Sequence, residues 1–187
     1  MTTQPKPRRM TVSEFLAWAS VQSRGRYELV RGEVVAMAPE RARHALVKGA
    51  VFRALGDAIK RAALPCTVYP DGVMVVIDDH HAREPDASVQ CGAPANLDSM
   101  ILDAPLIVAE VVSPSSVRLD TDTKVAEYFS VPSIQHYLVI DPTQKIVIHH
   151  ARSQSGDLVS RTSSSGKIDL TPPGMTVPVA ELLPEIG

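Results

Sequence analysis

The run Leu106-Ile107-Val108-Ala109-Glu110-Val111-Val112 constrains this chain more than any other stretch. Six of its seven residues are apolar and three are valines, so it reads as a buried strand rather than a helix. Ser113-Pro114-Ser115-Ser116 breaks it at once, and the serines are placed to cap the helix that follows. Glu110 is the anomaly. An unpaired ionised carboxylate on the inner face of a sheet costs several kcal/mol or more. The fold must therefore supply Glu110 with a cation, a basic side chain or a proton.

The pattern on either side predicts alternating helices and strands. Thr11 with Glu14 three residues on makes a capping box, and Leu16, Trp18 and Ala19 give the short helix behind it an apolar side. Two β-type runs between Arg26 and Met37 meet at Arg31-Gly32, a hairpin signal. From Pro39 to Leu64, Val47, Val51, Leu55 and Ile59 recur at four-residue steps, the stripe of a long helix that Pro65 ends. Strands follow at 67–69 and 72–77, separated by Pro70-Asp71-Gly72. Asp78-Asp79-His80-His81 reads as a polar link, and Arg83 to Val89 as one strand with Pro85 near its start. Beyond the Glu110 strand, a helix over about 117–130 carries Asp120, Lys124 and Tyr128 on one face and Val125 and Phe129 on another. Two strands, 136–140 and 145–149, come next.

This order predicts an α/β (α+β) chain with a mixed sheet flanked by helices, folded as one domain over 1–187. Residues 1–9 read as a flexible tail and 158–187 as a C-terminal β extension. A net charge of −2 excludes the bulk basicity of a nucleic-acid coat protein, so any nucleic-acid contact must be local. Arg8, Arg9, Arg41, Arg43, Lys48, Arg53, Lys60 and Arg61 could supply it, but they form no single stripe and read as a solvated face. Cys66 and Cys91 stand far apart in no metal-binding pattern and read as reduced thiols. No apolar run is long enough to span a bilayer and the N-terminus carries no signal-like segment, so a cytoplasmic protein is expected, with no membrane partner.

Asp86 and Glu110 stand at or in strands joined by a loop that lets them be neighbours in one sheet. Paired carboxylates from adjacent strands form an oxygen cage for Mg²⁺ or Mn²⁺. Lys124, on the next helix, reaches the same spot if that helix folds back over the sheet end. Two acids and a lysine fit metal-assisted phosphodiester hydrolysis. Asp78 to His81 reads as a hydrated turn, His149 and His150 point to opposite sides of a strand, and no G-x-S-x-G elbow accompanies Ser113 or Ser115.

Pro85-Asp86, Glu110 to Ser115, Asp120, Lys124, Tyr128 and Tyr137 to Pro142 together resemble the Uma-two family of restriction-endonuclease-like proteins, within the PD-(D/E)XK nuclease superfamily. Tyr27 to Glu33 and His44 match its N-terminal pattern, so the resemblance covers about residues 10 to 150. It implies a restriction-endonuclease-like fold and a Mg²⁺-dependent endonuclease acting on DNA as a homodimer, with Mn²⁺ as a substitute. Asp86 and Glu110 would hold the metal, joined by the backbone carbonyl of Val111 and by His44. Where the superfamily's lysine usually stands, two residues after the second acid, this chain has Val112, and Lys124 inherits the role. Glu28 would be an accessory acid and Tyr128 would line the pocket. Arg31 replaces the family's usual acid before the glycine, a surface change. Two other readings compete: a nuclease-like scaffold that binds nucleic acid or a protein partner and cleaves nothing, and a purely structural Glu110–Lys124 ion pair.

Overall fold

A computed structural model describes residues 9–112 and 119–185, without the side chains of 119–122. Residues 1–8, the expected Ser113–Ser116 cap and the side chain of Asp120 lie outside the described residues. Thr11 caps α1 (Val12–Ala19) as its sequence predicts: its hydroxyl accepts the Glu14 N–H, and the Glu14 carboxylate accepts the Thr11 N–H at 2.9 Å. β1 (Tyr27–Val30) and β2 (Glu33–Ala36) turn at Arg31 and Gly32, whose φ of 52° and 82° are the left-handed pair of a tight hairpin. Arg31 is exposed there, as expected.

Helix α2 (Ala42–Arg61) starts later than Pro39 and buries Val47, Val51 and Leu55 completely. After it come β3 (Cys66–Pro70), β4 (Val75–Asp78), β5 (His81–Arg83), β6 (Ala87–Cys91) and β7 (Pro105–Val111). Helix α3 (Leu119–Ser130) leads to β8 (His136–Asp141) and β9 (Ile146–Arg152). The tail forms β10 (Leu158–Ser163), β11 (Lys167–Leu170), β12 (Met175–Pro178) and the single turn α4 (Val179–Leu182).

Six strands in the order β10-β9-β8-β7-β6-β3 make the main sheet, and four in the order β2-β1-β5-β4 make a smaller one. Alternation along β7 assigns the layers. Ile107, Ala109 and Val111 pack with α2, while Val108 and Val112 pack with Tyr128 and Phe129 of α3. Val75 and Ile77 of β4 press on this second face, so α3 is held between the two sheets. Strands β7 and β8 are parallel, as a crossover through α3 requires.

Two expectations change. The run from Arg83 to Val89 is two strands, because the chain leaves the smaller sheet after Arg83 and enters the main one at Ala87. Pro85, which lacks an N–H for either ladder, sits in the break. Half of the expected polar link is consequently strand: His81 starts β5 and is buried. The cysteines are not free thiols. The β3–β6 register sets Cys66 directly opposite Cys91 and they are disulfide-bonded, a pairing that sequence distance conceals. The C-terminal β extension forms as expected and joins the core: Leu170 and Val177 of its strands and Leu182 of α4 are fully buried against the α2 face.

Candidate active site

β6 and β7 run antiparallel with Ala87 opposite Ala109. The ladder ends at that pair: Asp86 sits in the bend just before β6, and Glu110 is the next residue along β7. The Val111 N–H donates to Asp86 Oδ2 at 2.7 Å, which locks the aspartate to the end of β7. Glu110 lies on the α3 side. Lys124 Nζ donates to its Oε2 and the Tyr128 hydroxyl to its Oε1, both at 2.6 Å. The helical spacing of Lys124 and Tyr128 makes this double contact, since residues four apart stack on one face. Burial pushes the Glu110 carboxyl above the usual carboxylate range, against the pull of the Lys124 ammonium and the Tyr128 hydroxyl. Burial and the Glu110 charge together push the Tyr128 phenol well above its ordinary value, so it stays a donor.

Asp86 is held from the opposite layer. Lys48 of α2 places its Nζ 3.0 Å from Asp86 Oδ1, and His44, one turn earlier, has Nε2 3.8 Å from Oδ2. Lys48 also pairs with Glu40 and Asp71, and Arg26 pairs with Asp71 and Glu84. Each acid thus has its own lysine, from helices on opposite faces of the sheet. Lys48 was expected on a solvated face; instead its side chain is only 7% exposed. The signal present in the sequence was its position four residues after His44.

Glu28 also lines the cleft, but both its oxygens are engaged, one by Arg83 Nη1 at 2.9 Å and the other by the Glu84 N–H at 3.0 Å. Arg83 in turn holds Glu127 of α3 at 2.8 Å. Burial opposes the charge on Arg83, yet Glu28 and Glu127 together hold it above its ordinary value. The remaining histidines stand elsewhere: His80 contacts the Met10 carbonyl, His81 faces Glu127, His136 pairs with His149, and His150 contacts the Ser160 hydroxyl.

The cleft has a volume of about 800 Å³ and takes in Asp86, Glu110, Val111, Lys124, His44 and Glu40. Its donor set suits a divalent cation. Carboxylates keep lone pairs beyond those already used, and oxygen ligands are what hard cations take. Ligand atoms of Glu40, His44 and Asp86 lie within 4.8 Å of one another. No helix among the described residues is long and apolar enough to cross a membrane.

A crystal structure from Anabaena variabilis, described as "a putative nuclease belonging to DUF820", superposes with a TM-score of 0.70 at 16% identity, covering 93% of this chain and 97% of that one. An uncharacterised protein of Synechocystis, slr1290, is 22% identical over 173 residues, 91% of this chain and 90% of its own length. A mixed sheet with helices on both faces is thus shared with a nuclease-like fold. Residues 12–184 match the Uma2 model, whose description is "Putative restriction endonuclease", and the chain belongs to that family.

Proposed function

We propose that this chain is a metal-dependent endodeoxyribonuclease that hydrolyses phosphodiester bonds in the cleft between its two sheets. One observation carries the reading: two acids at a sheet end, the carboxylate of Asp86 held by the N–H beside Glu110, each matched to a lysine, in a cleft large enough for a sugar-phosphate backbone. Asp86 and Glu110 would hold Mg²⁺, or Mn²⁺ in its place, with the Val111 carbonyl and His44 completing the donor set. When bound, such an ion draws charge from the phosphoryl oxygen and lowers the pKa of water. Lys124, released in part from Glu110, donates to the phosphoryl oxygens and offsets the charge that grows on them. Tyr128 fixes the rotamer of Glu110 so that its second lone pairs face the cleft. Glu28 acts through Arg83 and the Glu84 N–H, holding the strand that leads into Asp86. Exposed Arg41 and Arg43 at the cleft rim are placed to meet the flanking phosphates. Cutting both strands takes two such centres, so we propose a homodimer, acting on DNA in the cytoplasm.

The test is nicking of supercoiled plasmid with Mg²⁺, Mn²⁺ or chelator. Asp86→Asn, Glu110→Gln and Lys124→Met are each expected to lower the metal-dependent rate at least ~100-fold, with unchanged circular dichroism below the melting transition. A Lys124→Met protein that nicks like the parent would sink the role given to that lysine. A competing reading, a scaffold that binds and does not cut, draws on the fact that both Glu110 oxygens already accept hydrogen bonds from the protein. It predicts DNA retardation without nicking under every cation.

A further inference from the structure

Lys48 is out of place as a surface lysine. Long charged side chains normally snorkel to water, but this one ends 7% exposed among carboxylates from three parts of the chain. Its ammonium contacts Asp86 at 3.0 Å and hydrogen-bonds Glu40, from the segment before α2, and Asp71, from the turn after β3. His44 Nε2 stands 4.0 Å from the same Glu40 oxygen and 3.8 Å from Asp86 Oδ2. Three carboxylate oxygens converging on one point are the donor set of a hard divalent cation. The occupant is an ammonium, a compact point charge whose three N–H groups match the three acids. Burial opposes that charge, yet the contacts with Asp71, Glu40 and Asp86 outweigh it and hold Lys48 above its ordinary pKa.

In two-metal phosphodiesterases the ions stand about 3.5–4 Å apart and clamp the reacting phosphate from both sides. Asp86 is placed to be the acid common to two such positions, with Oδ2 fixed on the Val111 N–H beside Glu110 and Oδ1 on Lys48. We infer that the Lys48 ammonium stands where a second divalent ion would bind, so that the centre takes one ion and not two. The inference rests on the nuclease reading for the first ion only.

The test is calorimetric titration of the full-length chain with Mn²⁺, with the melting temperature read alongside. The parent is expected to bind one ion. Lys48→Met is expected to bind two, to melt lower than the parent without metal, and to gain more from Mn²⁺ than the parent does, since an ion that binds only the folded state stabilises it. Adding Glu40→Gln to Lys48→Met should remove the extra ion, and Lys48→Arg, which keeps the charge, should stay at one. A merely structural Lys48 would lower the melting temperature with no gain in stoichiometry and no extra rescue, and that result overturns the inference. So does a parent that binds two ions. If Lys48→Met fails to fold in metal-free buffer, the parent stoichiometry decides alone, one ion upholding the inference and two overturning it. A parent binding none, with Lys48→Met binding one that Glu40→Gln removes, would uphold the role of Lys48 and defeat the proposed Asp86–Glu110 ion site. No binding by either protein defeats both.

Discussion

A carboxylate with 7% exposure survives at Glu110 because two donors on one helix face meet it. Removing one partner of a buried ion pair costs about 3–5 kcal/mol, whereas replacing both by neutral groups of similar size is often harmless. Lys124→Met should therefore lower the free energy of unfolding by an amount of that order, and Lys124→Met with Glu110→Gln should recover most of it. Urea unfolding of the two variants measures the difference. Neither variant should nick DNA, which separates the stabilising work of the pair from the chemical work. The acid was visible in the sequence because a single charge in an apolar run has no bland explanation. Lys48 was not, because a lysine on a long amphipathic helix looks solvated until its neighbours are known; Asp71 lies beyond the end of α2 and Asp86 further still.

Among elements, the placing of α3 matters most. Arg83 on β5 reaches both Glu28 of β1 and Glu127 of α3, so one guanidinium joins the smaller sheet to the helix that carries Lys124 and Tyr128. Groups that orient metal ligands from behind typically cost 10–100-fold in metal affinity when lost. Arg83→Met is expected to weaken Mn²⁺ binding by roughly that factor; an unchanged titration would show that α3 is seated by its apolar contacts alone. Hairpins and helices were legible from periodicity and turn chemistry, which are local. The division of the strands between two sheets was not. It depends on where the chain changes partners, and the run from Arg83 to Val89 has the composition of one strand while serving two.

For the whole molecule, the C-terminal segment is part of the core, and a histidine pair of the main sheet holds it there. His136 bonds the Pro172 carbonyl at 2.8 Å and His149 at 2.9 Å, which ties the segment between β11 and β12 to the main sheet. Burial, then the neighbouring His136, His150 and Arg161, pull the His149 pKa down to about 4, with Asp169 opposing. A histidine depressed on folding binds fewer protons in the folded than in the unfolded state. Its contribution is complete above the unfolded value of about 6.5 and is lost as pH falls from there through about 4. Urea midpoints taken across that window should fall in the parent, and His149→Gln should lessen the loss by on the order of 1–2 kcal/mol after solvent screening. A variant with the parent's pH profile would place the acid sensitivity elsewhere.

The chain passes from one sheet to the other through Glu84, Pro85 and Asp86, so the aspartate rides on a joint and belongs to no ladder. Its separation from Glu110 is accordingly set both by the Val111 N–H that holds its carboxylate and by how two slabs seat on the helix between them. Val75 and Ile77 of β4, packed on the α3 face, become tuning screws for the spacing, because a methyl group gained or lost there tilts one slab against the other. Drift at such remote apolar positions would alter the grip on a cation while every liganding side chain stayed the same.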